Sequence, residues 1–144
     1  MTSSKPNILF WILGVVFLLW NAFGCFMYLA DQFASDETWR AMENGEAILA
    51  AKAVYPIWAV VAYALAVWGG LIAAILLLLK KKLAVPLFIL SLVAAVICFI
   101  PSFTMDEMKL AGGETYWVMP MIVVLLGVIE VWWALKKEAD GTLA

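Results

Sequence analysis

The chain has 144 residues, of which 67% are apolar and 14% charged, and its formal net charge is −2. Charged residues make up about 25% of a typical soluble domain, so this composition excludes an ordinary water-soluble protein. Four apolar stretches alternate with short charged segments, and they cover residues 8–29, 54–79, 83–103 and 116–135. Each is close to the roughly 20 residues that a helix needs to cross a bilayer. The sequence predicts one four-span domain, residues 1–144, folded as an all-α integral membrane four-helix up-down bundle.

The first apolar stretch is expected to remain in the protein as a span. It runs for about 22 residues, whereas the apolar core of a secretory signal has about 7 to 15, and no small-residue cleavage site follows it. The long loop after it, residues 31–53, is expected to hold a short surface helix or to be a mobile linker. In the helical alternative Ser35 or Asp36 caps the helix and Gly45 ends it.

Basic residues are divided unevenly between the two sides of the predicted bundle. One side carries Lys5, Lys80, Lys81, Lys82, Lys136 and Lys137, and the other carries Arg40, Lys52 and Lys109. Because cytoplasmic loops are enriched in Lys and Arg, this split predicts a multi-pass membrane protein with both termini in the cytoplasm. The opposite loops, 31–53 and 104–115, hold more acidic than basic residues, so they are expected to attract cations weakly.

Small residues recur at helical spacing within the spans. Where they share a face, two helices can approach closely, which makes that face a predicted packing surface. In the second span such a face carries small residues at every fourth position, whereas the opposite face carries large residues that suit lipid. The predicted helix-packing residues of the chain are Gly14, Gly24, Ala62, Ala66, Gly69, Gly70, Ala74 and Gly127.

Glu130 is the one charged residue within a predicted span, and Asn21 lies near the middle of the first. A charge at mid-membrane costs about 2.5 to 3.5 kcal/mol even on lenient insertion scales, so Glu130 should face protein and pair or protonate. Asn21 and Ser91 are its expected partners. Three alternatives remain: Glu130 is a proton or cation site, it makes a structural hydrogen bond, or it reaches the headgroups near Lys136 and Lys137. For Asn21 we favour a hydrogen bond between helices.

The sequence lacks the residues and motifs that catalysis, metal binding and nucleic-acid binding usually require. Histidine is absent, and the two cysteines, Cys25 and Cys98, form no pair motif and are expected to be free thiols. No phosphate-binding loop, nucleophile elbow or basic patch is found, so we expect no enzyme activity, metal, cofactor or nucleic-acid partner. The expected partner is the lipid bilayer, a homo-oligomer is compatible with the helix faces, and any small-molecule substrate is unidentified.

Several short motifs give the chain a resemblance to a family of uncharacterised four-span bacterial membrane proteins. They are Trp20-Asn21 with Gly24, Pro56-x-Trp58, Gly69-Gly70, the Lys80-Lys81-Lys82 turn with Ala84 and Ser91, and Met119-Pro120. The resemblance implies a four-helix fold without an established activity, although members are sometimes loosely labelled sugar transporters. The chain is also superficially similar to small multidrug transporters. That family places its essential glutamate in the first span, where this chain has Asn21.

Two functional hypotheses follow from the sequence. The first is a small transporter or channel component in which Glu130 is a proton or cation site. The second is an accessory or structural membrane protein with a simply packed core. A water-filled cavity that reaches Glu130 would favour the first hypothesis, and a dry, closed bundle would favour the second.

The predicted orientation can be tested with reporter fusions placed after Ala144 and within residues 31–53. We expect a cytoplasmic reporter to be active at Ala144 and a periplasmic reporter to be active in the loop, because the basic residues concentrate on the side of the termini. A periplasmic signal from the fusion at Ala144 would refute this orientation.

Overall fold

The computed structural model describes residues 6–144, which are almost entirely helical, with no strand in that range. Lys5, which contributes to the predicted charge split, lies outside the described residues. Within residues 6–144, four helical segments are long and apolar enough to cross a membrane: Ile8–Phe33, Ile57–Leu78, Ala84–Thr104 and Val118–Ala139. In chain order the helices are α1 Ile8–Phe33, α2 Asp36–Arg40, α3 Gly45–Val54, α4 Ile57–Leu78, α5 Ala84–Cys98, α6 Ile100–Thr104, α7 Asp106–Gly112 and α8 Val118–Ala139.

The long helices pack in the order α1, α4, α5, α8. Helices α4 and α5 make the most extensive contact, α1 packs on α4, and α8 packs on α5, whereas α1 and α8 approach each other less closely. The short helices α2, α3 and α7 pack together beyond one end of the bundle. That end, with the loops 31–56 and 104–117, is here called the acidic end. The other end carries the Lys80–Lys82 turn, Lys136 and Lys137, and is called the basic end.

Local sequence explains where the helices start and stop. The Ser35 side chain accepts a hydrogen bond from the Thr38 backbone N–H and so caps α2. Pro101 lies in the first turn of α6 and lacks an N–H, which accounts for the interruption after Cys98 within the third long segment. α1 continues to Phe33, beyond the predicted end of the first span at residue 29.

The expectation that Gly45 ends the short surface helix is wrong, because Gly45 begins α3 instead. A Cβ built at this position would lie 2.6 Å from Arg40 Cα and would also overlap the backbone carbonyl of Trp39. The glycine is therefore needed for a close approach between the start of α3 and the end of α2, and not for a helix stop.

The two sides of α4 differ as their side-chain sizes suggest. The small residues at every fourth position, Ala62, Ala66, Gly70 and Ala74, are all buried. On the opposite side Trp58, Val61, Leu65 and Ile72 are exposed and form an apolar outer surface that suits lipid.

Large side chains fill the basic end of the bundle. The buried cluster there includes Phe10, Phe17, Leu77, Phe88, Trp133 and Leu143. The rings of Phe17 and Phe88 meet edge to face, with centroids 6.4 Å apart. Leu143 belongs to this cluster although it lies beyond α8, because the segment after α8 turns back against the bundle.

Hydrogen bonds hold this returning segment, residues 140–144, against the Lys80–Lys82 turn. The Ala144 N–H donates to the Lys80 carbonyl at 2.8 Å, and the Lys82 N–H donates to the Ala144 carbonyl at 3.0 Å. Asp140 accepts hydrogen bonds from Thr142 and Lys137. Burial works against the charged form of Asp140, but these hydrogen bonds outweigh it and hold its pKa below the ordinary value. The segment therefore closes the basic end.

Leu143→Ala should destabilise the protein, because it removes a side chain that is 1% exposed and leaves a cavity in the buried cluster at the basic end. Core Leu-to-Ala changes typically cost about 2 to 5 kcal/mol. Thermal unfolding in detergent would measure the effect, with Leu135→Ala as the matched control because Leu135 is 46% exposed. Equal melting temperatures for the two variants would mean that Leu143 adds nothing to the core.

Candidate functional site: a buried polar pair at the floor of a cavity

A cavity of about 670 Å³ lies between the long helices and reaches the acidic end. Its mouth includes the exposed residues Asp36 and Lys52, and its deep part includes Asn21, Ser91 and Glu130. Most of the wall is apolar or aromatic, with contributions from Trp20, Phe23, Met27, Val60, Leu92, Phe99, Met119 and Val123. The cavity thus joins the exposed acidic end to the buried carboxyl group.

Asn21 and Glu130 form a hydrogen-bonded pair at the floor of this cavity. Asn21 Nδ2 donates to Glu130 Oε2 at 2.7 Å and to the Phe17 carbonyl oxygen at 2.8 Å. Both side chains are buried, with Glu130 4% and Asn21 8% exposed. Within residues 6–144, Asn21 supplies the only hydrogen bond to the Glu130 carboxyl, and no Lys or Arg pairs with it.

The headgroup alternative for Glu130 does not agree with this geometry. A side chain that reached the membrane surface beside Lys136 and Lys137 would be exposed, whereas Glu130 faces α1. Lys137 instead forms an ion pair with Asp140 at 3.1 Å and lies over the Trp133 ring. The two buried alternatives, a proton or cation site and a structural hydrogen bond, remain.

Ser91 lies near the pair but does not contact Glu130 in the hydrogen-bond network. Its hydroxyl donates to the Ala66 carbonyl of α4 at 2.6 Å. Ser91 also lines the cavity, so its half-buried side chain contributes a polar edge to the floor. The structure therefore brings all three candidate residues to one place and gives Asn21, not Ser91, the contact with the carboxyl.

Gly70 makes room for the polar pair. A Cβ built on Gly70 would overlap Asn21 Oδ1 and would lie 3.0 Å from Ser91 Oγ. The other predicted packing glycines also meet neighbouring helices, with Gly14 against Leu78, Gly24 against Val67 and Gly127 against Leu92. Gly69 differs from them, because a Cβ at this position would meet nothing within 4 Å.

A second polar group lies at the mouth of the cavity and was not singled out from the sequence. The Tyr63 hydroxyl donates to Asp31 Oδ2 at 3.1 Å, and Lys52 Nζ donates to the Asp31 carbonyl oxygen at 2.6 Å. The sequence predicted that Asp31 begins the loop 31–53 and also placed it on the inward face of the first helix, and the structure has it in the last turn of α1. A tyrosine hydroxyl within an apolar span needs a hydrogen-bond partner. This requirement is the one signal in the sequence that could have indicated the contact between Tyr63 and Asp31.

Tyr55 and Cys98 complete the cavity wall toward the acidic end. The Tyr55 hydroxyl donates to the Cys98 carbonyl oxygen at 3.0 Å. Cys25 and Cys98 are both buried free thiols. In the described part of the chain no cluster of His, Cys, Asp and Glu has the arrangement of a metal site.

This arrangement suits the binding of a small solute with a charged or proton-carrying group. Cavities that hold small ligands usually measure about 300 to 1,000 Å³ and combine apolar walls with a few polar groups. A buried carboxyl without a cationic partner takes up a proton or pairs with a cation, because an isolated charge in an apolar interior is costly.

Comparisons with protein-family models, with curated proteins and with solved structures find no match to this chain.

A comparison of Gly70→Ala with Gly69→Ala tests whether Gly70 provides the space that the Asn21 side chain occupies. Alanine is favoured over glycine within a helix by about 1 kcal/mol, so Gly69→Ala should preserve or raise the melting temperature. Gly70→Ala should lower it, since its Cβ overlaps Asn21 Oδ1 and overpacking costs about 1 to 3 kcal/mol. If both variants melt alike in detergent, Asn21 is not held against Gly70.

Proposed function

We propose that this chain is a small transporter that binds a solute in the cavity and uses Glu130 as its proton or cation site. The observation that carries the proposal is the cavity itself, which connects the acidic end with a buried carboxyl. In this proposal the protein spans a bacterial inner membrane as an up-down bundle, its termini and basic end face the cytoplasm, and it has no enzymatic activity.

The antiparallel arrangement is supported by contacts along neighbouring helices. Gly14 and Gly24 of α1 lie against Leu78 and Val67 of α4, so positions rise along one helix as they fall along the other. The orientation is supported by the concentration of lysines at the basic end.

Transport across the membrane requires the closed basic end to open. The large side chains around Leu143 fill the space between the Asn21–Glu130 pair and the basic end, whereas the acidic end leads to the cavity. In this proposal the cavity as described belongs to a state open at the acidic end. In a transporter this cluster must separate during the cycle, so that the floor of the cavity is reached from the other side.

One observation favours a second candidate, an accessory protein without transport. The Asn21–Glu130 hydrogen bond connects α1 with α8, the two long helices whose backbones approach each other less closely than the neighbouring pairs do. A carboxyl used only to join these helices would need no solute and no movement of the basic end.

Labelling of Ser91→Cys in membrane vesicles distinguishes these functions. Cys25 and Cys98 are first replaced by alanine, and a membrane-impermeant, thiol-specific reagent is then added to vesicles of each orientation. Because Ser91 lines the cavity floor, a transporter should be labelled from the acidic side and, more slowly, from the basic side. Val93→Cys is the matched control, since Val93 lies on the exposed apolar surface of the same helix and should not react.

Labelling from the acidic side alone would indicate a binding protein without transport. Absence of labelling from both sides would indicate a dry core and would favour the accessory function.

A further inference from the structure

The cavity offers an apolar and aromatic surface with few free hydrogen-bonding groups. Trp20, Phe23 and Phe99 contribute rings to its wall. At the floor the Ser91 hydroxyl is already bonded to Ala66, and the Asn21 amide donates to Glu130 and Phe17. A sugar or another polyhydroxylated solute would lose most of its hydrogen bonds with water here, so the wall favours a ligand with an apolar body.

The charges of the cavity favour a cationic group on that body. Its lining includes the carboxyl groups of Asp31, Asp36 and Glu130 and one basic side chain, Lys52. The Lys52 ammonium group bonds to the Asp31 carbonyl oxygen and lies 4.9 Å from the centroid of the Trp39 ring. An anion entering the cavity would therefore pass acidic groups and end beside another carboxyl, whereas a cation would be attracted along this path.

We infer that the cavity binds an organic monocation, an ammonium group on an apolar or aromatic body, with the ammonium against Glu130 and the body against the aromatic wall. This inference rests on the proposed function and names its ligand class. The ammonium pairs with the carboxylate, and any proton that neutralised this group before binding leaves to water. Aromatic rings add cation–π attraction within about 6 Å of the charge.

An ammonium group on an apolar body has two sources. A free amine enters from the acidic end, whereas a lipid with an ammonium headgroup enters from the bilayer. The position of Asp31, Asp36 and Lys52 at the mouth places the aqueous route at the acidic end. The binding experiment therefore includes an arm that separates the two sources.

Isothermal titration of the purified full chain with three probes of similar shape tests the inference. The probes are 2-phenylethylamine, which is cationic, 2-phenylethanol, which is neutral, and phenylacetate, which is anionic. We expect the amine to bind at least about tenfold more tightly than the alcohol, and phenylacetate not to bind, because charge pairing is available only to the cation. This comparison uses the unaltered protein, so it does not depend on whether a variant folds.

Glu130→Gln should reduce the preference for the amine to less than about twofold while the alcohol binds as before, since glutamine keeps the shape without the charge. Glu138→Gln is the matched control: Glu138 lies on the same helix, is exposed and does not line the cavity, so its variant should bind like the unaltered protein. Displacement of the amine by short-chain phosphatidylethanolamine, but not by phosphatidylglycerol, would assign the ammonium to a lipid.

Equal binding of amine and alcohol, or an amine preference that survives Glu130→Gln, would overturn the cation inference while leaving solute binding in place. Tighter binding of phenylacetate than of 2-phenylethylamine would also overturn the cation inference. Absence of binding by all three probes would reject this ligand class, and the Ser91→Cys labelling would decide separately whether the cavity is open to solutes.

Discussion

The placement of a carboxyl group in an apolar interior is the constraint on which the rest of this structure depends. Glu130 is 4% exposed and has no basic partner in the described part of the chain, so it requires a hydrogen-bond donor. Asn21 supplies the donor from α1. That side chain in turn requires the space above Gly70, where a Cβ would overlap its Oδ1. One polar contact thereby determines how α1, α4 and α8 meet.

The two halves of the bundle are packed differently, and this difference produces the cavity. The basic end holds large side chains, including Phe10, Phe17, Phe88 and Trp133, together with the returning Leu143. The smaller cluster toward the acidic end consists of Ala66, Ala94 and Ala95 with Val123 packed against it. Small side chains allow helices to approach, but they fill less of the space between four helices, and the remaining volume opens toward the acidic end.

The mouth and the floor of the cavity share a chemical pattern. At the mouth Asp31 accepts a hydrogen bond from Tyr63, and at the floor Glu130 accepts one from Asn21, so each carboxyl is oriented by a neutral donor. A neutral donor positions the oxygen atoms without compensating their charge. Lys52 lies beside Asp31, whereas Glu130 has no basic partner in the described part of the chain and so keeps the capacity to attract a proton or a cation, which connects the buried polar pair to the proposed ligand class.

Hydropathy alone determined the helical class, because a backbone in hydrocarbon must satisfy its own hydrogen bonds and an apolar stretch of about 20 residues does so as a helix. Side-chain size indicated the buried face of α4. The sequence placed Asn21, Ser91 and Glu130 on inward faces. Only the tertiary structure decided that Asn21 contacts Glu130, that Ser91 bonds to Ala66, and that Leu143 closes the basic end. Asn21 and Glu130 are 109 positions apart, and their contact depends on the rotation and depth of helices, which no local pattern specifies.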